Sequence, residues 1–137
     1  MYYKFIIKKF IYYFLANFFF ATPKNSRGSI LCYHRVSGYK NNYFDPNYPL
    51  TTSIKNFRKQ ILKIKSKYKI VSLDEFIHHI NSNSDEYLVV ITFDDGYSDN
   101  YEDLLPIVSE LQIPVTIFVT TSFLSSEPFI WWYELWS

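Results

Sequence analysis

Apolar and polar positions along the chain follow two periods, one typical of buried strands and one typical of amphipathic helices. Residues 88–93 are an unbroken apolar, β-branched run that indicates a strand buried on both faces. Residues 29–36 and 114–121 are two further strand-like runs. Between residues 54 and 68, apolar side chains recur every three or four positions with lysines between them. That spacing predicts a helix whose outer face is basic and solvated.

Local end signals add two more helices and give the order of the elements. Ser72 and Glu75 have the spacing of a capping box, which predicts a helix that continues to about Ile80. Residues 98–111 predict another helix, and Pro106 inside it predicts a kink or a late start, because proline removes an interior hydrogen bond. Strands therefore alternate with helices, which predicts an α/β fold with a parallel sheet, either open or closing into a barrel.

The first 22 residues differ in composition from the rest and are assigned to a separate basic and aromatic N-terminal helix. Lysines lie at positions 4, 8 and 9, and the apolar run over positions 10–21 is broken only by Asn17. About 12 apolar residues are too few to span a bilayer, which needs roughly 20. Three interpretations stay open: a signal-like leader, a helix whose residues 1–21 lie on a membrane surface, and a helix packed against the domain. Residues 23–137 form the remaining domain, with a long polar loop over residues 37–52.

Composition limits the class of protein. The 137 residues fit one domain, and a formal net charge of +1 gives no electrostatic basis for binding nucleic acid or another polyanion. Hydrophobic residues make up 48% of the chain, so disorder is not expected. The single cysteine, Cys32, excludes an intramolecular disulfide and a cysteine-only metal cluster. Because it lies in an apolar run, we expect its side chain to be buried in the packing.

Two carboxylates end the strongest predicted strand. Asp94 and Asp95 follow residues 88–93 directly, and Gly96 follows them. Consecutive strand residues point to opposite faces, so both carboxylates can face one site only if the backbone turns there, which glycine permits. Adjacent carboxylates repel unless a proton or a divalent cation neutralises one of them. This pattern indicates either a metal site with one carboxylate as ligand and the other as base, or an ordinary Asp-Gly turn.

Several stretches of the chain resemble the polysaccharide deacetylase family, the metal-dependent carbohydrate de-N-acetylases. Residues 92–97, Thr-Phe-Asp-Asp-Gly-Tyr, are similar to the first motif of the family, and residues 99–106 and 113–119 are similar to the helix and strand that follow it. Residues 30–36, Ile-Leu-Cys-Tyr-His-Arg-Val, resemble the opening strand of one branch of the family, and the aromatic residues 129–136 resemble a segment of the same branch.

The resemblance implies a fold, a reaction and a cofactor. The fold is a distorted (β/α) barrel, and the cofactor is a divalent metal, usually zinc. The reaction is hydrolysis of the acetamide on an N-acetylated polysaccharide, with Asp94 as the catalytic base and Asp95 as a metal ligand. A cell-envelope polysaccharide is the implied substrate, so we expect the protein at the cell envelope or on a membrane, and a cytoplasmic location stays open.

The chain departs from the family in its histidines. The family completes its metal site with a His-x-x-x-His pair downstream of the first motif, and none of His34, His78 and His79 has that spacing or follows Asp95. We therefore interpret the chain as the N-terminal portion of a deacetylase, either truncated or partial. We expect negligible activity and weak zinc binding, because zinc sites use three or four protein ligands. An incomplete barrel also leaves strand edges unpaired, so we expect poor solubility.

Other residues are weaker candidates for the site. His34 ends the first predicted strand, so its ring is a candidate for a substrate contact or for a structural hydrogen bond. Tyr97 is a candidate for lining the sugar site or for capping the next helix. His78 and His79 point about 100° apart on one helix and are expected to be helix-end surface histidines. The tryptophans are expected either to pack or to stack on sugar rings: Trp131, Trp132 and Trp136.

Two other functions are compatible with the sequence. A non-catalytic deacetylase remnant, or a membrane-peripheral fragment, would keep the fold without the chemistry, and zinc binding separates it from an enzyme. A magnesium-dependent phosphoryl-transfer enzyme would use the acidic pair, but the sequence has no glycine-rich phosphate loop and no Walker-type lysine.

Overall fold

Strands and helices alternate along the chain, as the hydrophobic pattern predicts. A computed structural model describes residues 26–38, 47–125 and 129–135. Its regular elements are, in chain order, β1 (Gly28–Tyr33), β2 (Arg35–Ser37), β3 (Thr51–Ser53), α1 (Ile54–Lys65), β4 (Lys69–Ile70), α2 (Leu73–Ile80), β5 (Leu88–Phe93), α3 (Leu105–Leu111), β6 (Thr116–Ile117) and α4 (Trp131–Glu134). Residues 1–22, predicted as an N-terminal helix, lie outside the described residues. Within the described ranges, no helix has both the length and the apolar character needed to cross a bilayer.

β5 is the centre of the larger sheet, and every strand pair in that sheet is parallel. β1 occupies one edge of β5 over all six residues, from Gly28 beside Leu88 to Tyr33 beside Phe93. The opposite edge is shared, because β4 pairs with the beginning of β5 and β6 pairs with its end. All six residues of β5 are buried. The predicted α/β fold with a parallel sheet is confirmed, whereas closure into a barrel stays a prediction.

A second, two-stranded sheet was not predicted. β2 and β3 pair in parallel, with Arg35 beside Thr51. The strand predicted over residues 29–36 therefore breaks at His34, and the loop predicted over residues 37–52 contains β3 at its end. Pairing between segments this far apart is set by tertiary contacts, which a local hydrophobic pattern does not report.

The two amphipathic helices begin at capping serines. Ser53 caps α1 by accepting a hydrogen bond from a first-turn backbone N–H. At α2, the backbone N–H of Glu75 donates to Ser72 Oγ at 3.1 Å, and the N–H of Ser72 donates to the Glu75 carboxylate at 3.0 Å. The predicted capping box is thereby confirmed. Phe57 and Ile61 lie on the buried face of α1, as its spacing predicts.

Pro106 coincides with a change of helix type. Residues Asn100–Leu104 form a π-helical turn, and the α-helix α3 begins only at Leu105, with Pro106 in its first turn. Proline is tolerated there because the first N–H groups of a helix have no partner within the helix. The late start predicted from the sequence is confirmed.

The main core lies directly under the ends of β1 and β5. Phe57, Ile91 and Phe93 are fully buried. The Tyr33 ring stacks on Phe93 with 5.4 Å between centroids and meets the Phe57 ring edge-on at 5.2 Å. Burial raises the pKa of Tyr33 to about 12. Since Tyr33 and Phe93 are the last residues of the two strands, this aromatic cluster fixes where both strands end.

The last predicted strand is shorter than its apolar run suggests. The strand expected over residues 114–121 is regular only at Thr116 and Ile117, where β6 pairs with β5. Phe118 and Val119 follow with 51% and 48% of their surfaces exposed. β5 ends at Phe93, so residues beyond Ile117 have no strand beside them on that side in the described part of the chain.

Candidate active site

β1 and β5 end side by side, and the residues that follow them form the candidate site. The backbone N–H of Asp94 donates to the carbonyl of Tyr33 at 2.9 Å, which extends the parallel pairing past Phe93. His34 and Asp94 therefore leave the sheet as neighbours at its carboxyl edge, where sites in parallel sheets form. The expectation that the His34 strand lies beside the Asp94 strand is confirmed.

The backbone turns sharply at the acidic pair. Asp95 and Gly96 both have φ of 72°, in the left-handed region. The N–H of Gly96 donates to the carbonyl of Asp94 at 2.9 Å, and the N–H of Thr120 donates to the carbonyl of Asp95 at 3.2 Å. A left-handed non-glycine residue is uncommon, although aspartate tolerates it better than most. The predicted turn is confirmed, and it releases the two carboxylates from strand alternation.

A thiol, an imidazole and a carboxylate converge at this edge of the sheet. The Cys32 thiol donates to Asp94 Oδ2 at 3.1 Å, and His34 Nε2 lies 4.0 Å from the same oxygen. One ligand atom from each of the three side chains lies within 4.8 Å of the other two. The Asp94 and His34 side chains are 41% and 30% exposed, so the cluster is open to solvent.

Cys32 is exposed, and the expectation that it is buried in the packing is wrong. Alternation along β1 places Ile30 and Cys32 on the more exposed face of the strand and Leu31 and Tyr33 on the other. An apolar run indicates burial on both faces only when both faces are covered. The pKa of the Cys32 thiol is raised by partial burial, then by its hydrogen bond to Asp94 and by that negative charge.

Asp95 lies beside the cluster without joining it. The converging ligand atoms belong to Cys32, His34 and Asp94, and no oxygen of Asp95 is among them in the described part of the chain. The charge of Asp95 is the smallest of the influences that raise the pKa of Cys32. The separate roles predicted for the two acids stay predictions, and the structure gives them different surroundings.

An ion pair at the beginning of β2 fixes the loop that follows Gly96. Arg35 Nε donates to Asp99 Oδ2 at 2.6 Å, and the two side chains are 18% and 4% exposed. The guanidinium carbon of Arg35 also lies 4.8 Å from the centre of the Tyr97 ring, a cation–π distance. Burial raises the pKa of Asp99, while the hydrogen bond and charge of Arg35 oppose that rise.

Sequence reasoning missed the pair of Arg35 and Asp99. Both residues lie in stretches that resemble the deacetylase family, so an opposite charge in each stretch was the available signal. Tyr97 packs on Arg35 and on the ring of Phe123, with 5.8 Å between ring centroids. Its role in lining a sugar site stays a prediction.

The remaining candidates lie outside the cluster. His79 Nε2 hydrogen-bonds with the carbonyl of Glu86 at 2.8 Å, and His78 is exposed in the last turn of α2. Both are helix-end histidines, as predicted. Trp131 is 58% exposed. The side chain of Trp132 and the whole of Trp136 are outside what the structure describes.

The donor set at the sheet edge fits a zinc-type cation. Thiolate, imidazole and carboxylate are the ligand types that zinc takes in proteins, and the cluster offers one of each. Sequence reasoning did not assemble this set because it expected Cys32 to be buried. The residues that fit are Cys32, His34 and Asp94, whereas the ligand expected from the resemblance is Asp95.

Comparisons of the sequence with known proteins point to one family. Residues 81–132, which include the acidic pair, match the sequence model of the family named Polysaccharide deacetylase. The protein YxkH of Bacillus subtilis (strain 168), by its name a polysaccharide deacetylase, is 50% identical over 34 residues. Those residues are 25% of this chain and 12% of YxkH.

Solved structures show the same relationship. A de-N-acetylase from Aggregatibacter actinomycetemcomitans aligns with a TM-score of 0.62 and 28% identity, over 74% of this chain and 40% of that protein. The Streptococcus pyogenes deacetylase PplD, solved in complex with acetate, aligns with a TM-score of 0.59 over 80% of this chain and 50% of PplD, and its 22% identity supports the fold alone. This chain therefore spans half or less of the length of these relatives. The family model, the relative from Bacillus subtilis and the solved structures all indicate that this chain is similar to polysaccharide deacetylases.

Proposed function

We propose that this chain carries the base and a metal-ligand residue of a zinc-type enzyme that removes acetyl groups from an N-acetylated cell-envelope polysaccharide. The observation that supports this most is the place of Asp94, at the carboxyl end of the central strand with 41% of its side chain exposed. Similarity to the polysaccharide deacetylase family supports the reaction class. The proposed location is the cell envelope, where such a substrate lies.

The proposed chemistry is amide hydrolysis. Water adds to the acetyl carbonyl, the bond from carbon to nitrogen breaks as the nitrogen takes up a proton, and acetate and a free amine leave. Asp94 takes a proton from the attacking water, which requires its carboxylate to be ionised and accessible. A divalent cation, when bound, polarises the acetyl carbonyl, and Asp95 is the ligand proposed for it from the motif.

His34 and Tyr97 are proposed as substrate contacts. Asn100 Nδ2 donates to the backbone carbonyl of His34 at 3.5 Å, which helps to hold the break between β1 and β2. Arg35 holds the ring of Tyr97. The backbone of His34 and the ring of Tyr97 are thereby held by residues with little exposure, which is the support that a binding residue needs.

Substrate binding tests the proposal without requiring turnover. N-acetylglucosamine oligomers added to the nitrogen-15-labelled chain should shift the backbone amide signals of residues 32–34 and 94–97. Glucosamine oligomers, which lack the acetyl group, are the matched control and should shift them less. Equal responses to the two sugars, or shifts confined to other parts of the chain, would contradict the proposal and favour a non-catalytic remnant.

Acetate release measures whether these residues are sufficient for catalysis. We expect negligible acetate release from the 137-residue chain with added zinc, because its sequence has no His-x-x-x-His pair. Robust release that is lost in Asp94→Asn and Asp95→Asn would contradict that expectation while supporting the roles of the two acids.

A further inference from the structure

We propose that Cys32, His34 and Asp94 form a site for a soft divalent cation of the zinc class, and that a cation held there blocks Asp94 as a base. The first part stands on the geometry alone. The second part rests on the proposed function, in which Asp94 takes a proton. The thiol distinguishes this site from a metal site built on Asp95.

The strand register brings the three side chains together. Cys32 lies beside Thr92 and Tyr33 beside Phe93 in the parallel pair, so the next residues, His34 and Asp94, meet where the strands end. Cys32 is two positions before His34, and side chains two apart on a strand lie on the same face. The three donors therefore come from Cys32 on β1 and from the residues that directly follow β1 and β5.

The distances suit a small cation. With zinc bonds of about 2.0–2.3 Å and tetrahedral angles, two ligand atoms lie about 3.4–3.6 Å apart. The Cys32 Sγ to Asp94 Oδ2 distance is 3.1 Å, and the His34 Nε2 to Asp94 Oδ2 distance is 4.0 Å. Small side-chain rotations would bring all three atoms to these separations, and the exposed edge leaves a fourth position for water.

The ligand types select the class of cation. Thiolate and imidazole favour zinc, cobalt and copper, whereas magnesium and calcium prefer oxygen ligands alone. The thiol must lose its proton when the cation binds, and the proton goes to solvent. The site therefore takes a soft cation and not magnesium.

Occupancy has a consequence for the proposed reaction. A carboxylate oxygen that is bound to a cation has its lone pair engaged in that bond, so it cannot accept a proton from water. Asp94 then no longer takes a proton from water. An enzyme that contains these residues is expected to be inhibited by excess zinc, and Cys32→Ser is expected to relieve that inhibition.

Cobalt binding to the reduced 137-residue chain tests the site. Co²⁺ should produce a thiolate-to-cobalt charge-transfer band in the near ultraviolet, which zinc should then remove by competition. Cys32→Ser should abolish the band, and His34→Gln should weaken cobalt binding about tenfold or more. Circular dichroism of each variant verifies that its fold is kept.

His78→Ala is the matched control and should leave the band and the cobalt affinity unchanged, while Asp95→Asn should leave the thiolate band in place. No charge-transfer band in the folded wild type, or a band that survives in Cys32→Ser, would overturn the inference. Cobalt binding that depends on Asp95 and not on Cys32 would also overturn it, while the proposed function would stand. If the thiol-dependent band appears but acetylated sugars do not bind, the cation site stands and the inhibition does not.

Discussion

The two edges of β5 carry similar apolar runs but end in different ways. On the β1 edge, all six residues of β1 pair with β5, and the pairing continues to the N–H of Asp94. On the β6 edge, residues 116–119, regular pairing covers only Thr116 and Ile117; the N–H of Phe118 still donates to the carbonyl of Phe93 at 2.8 Å, but Phe118 and Val119 remain about half exposed. The side chains that can do chemistry lie on the first edge.

The difference shows what a pattern of apolar residues can and cannot establish. Residues 88–93 and 114–121 look alike in sequence, yet the first run is covered on both faces and the second is covered at few positions. Apolar side chains become core only when a neighbouring element removes them from water. The β1 edge therefore holds the candidate site rigidly, while the β6 edge presents an apolar surface.

Truncating the aromatic residue that ends β5 and the one that follows β6 should give the largest contrast. Phe93→Ala is expected to lower the free energy of unfolding by about 3–5 kcal/mol, because it empties a fully buried position between Tyr33 and Phe57. Phe118→Ala removes an exposed ring and should change it by only about 0.5 kcal/mol or less. Urea unfolding of the two variants measures both, and equal losses would contradict the full burial of Phe93 and the exposure of Phe118.

The exposed apolar residues of the β6 edge also affect the solubility of the chain. The exposed apolar residues of the β6 edge support the expectation that the isolated chain is poorly soluble. Phe118→Lys is expected to raise the soluble yield. Tyr101→Lys, at an exposed position in the π-helical turn, is the matched control and should not raise it. A wild-type chain that is already a soluble monomer with a sharp cooperative melt would contradict this.

The ion pair beside the site should give the second-largest effect. Arg35→Ala leaves the carboxylate of Asp99 buried without its cation and is expected to cost about 3 kcal/mol. Arg58→Ala is the matched control, since its two hydrogen bonds to Glu110 lie at the surface, and a much smaller loss is expected. Urea unfolding compares the two arginines, and similar losses would show that Arg35 does not hold the loop after Gly96.

A pH series should reveal a smaller effect of the same pair. Burial raises the pKa of Asp99, so the folded state binds this proton more tightly than the unfolded state. Its contribution to stability is present in acid and declines as the pH rises above the ordinary aspartate value of 3.8, through the raised pKa. Asp99→Asn should remove that decline. The difference in unfolding free energy between wild type and this variant should therefore change with pH. A difference that is independent of pH would contradict the burial of Asp99.

Local sequence signals were sufficient for much of the fold. The buried run of β5, the capping box at Ser72 and the late start of α3 at Pro106 are all confirmed, because each depends on neighbours along the chain. The parallel arrangement followed from the alternation of strands and helices. The turn at Gly96 followed from the residue types at the end of the strand.

The site was only partly predictable, because its key contacts join distant segments. His34 and Asp94 were expected at one edge, and they are neighbours there. The exposure of Cys32, its contact with Asp94 and the pairing of Arg35 with Asp99 depend on which face of β1 is covered and on how β2 is placed. Residues 62 or more positions apart form these contacts, and no local period reports them.

The reactivity of Cys32 offers the most direct test of the central claim that acetylated sugar binds where β1 and β5 end. Cys32 is the single cysteine and is exposed beside Asp94, so alkylation by iodoacetamide, followed by mass spectrometry, reports access to this edge. N-acetylglucosamine oligomers should slow the alkylation of Cys32, and glucosamine oligomers should slow it less. Identical alkylation rates with both sugars and without sugar, in a folded chain, would contradict binding of the acetylated sugar where β1 and β5 end.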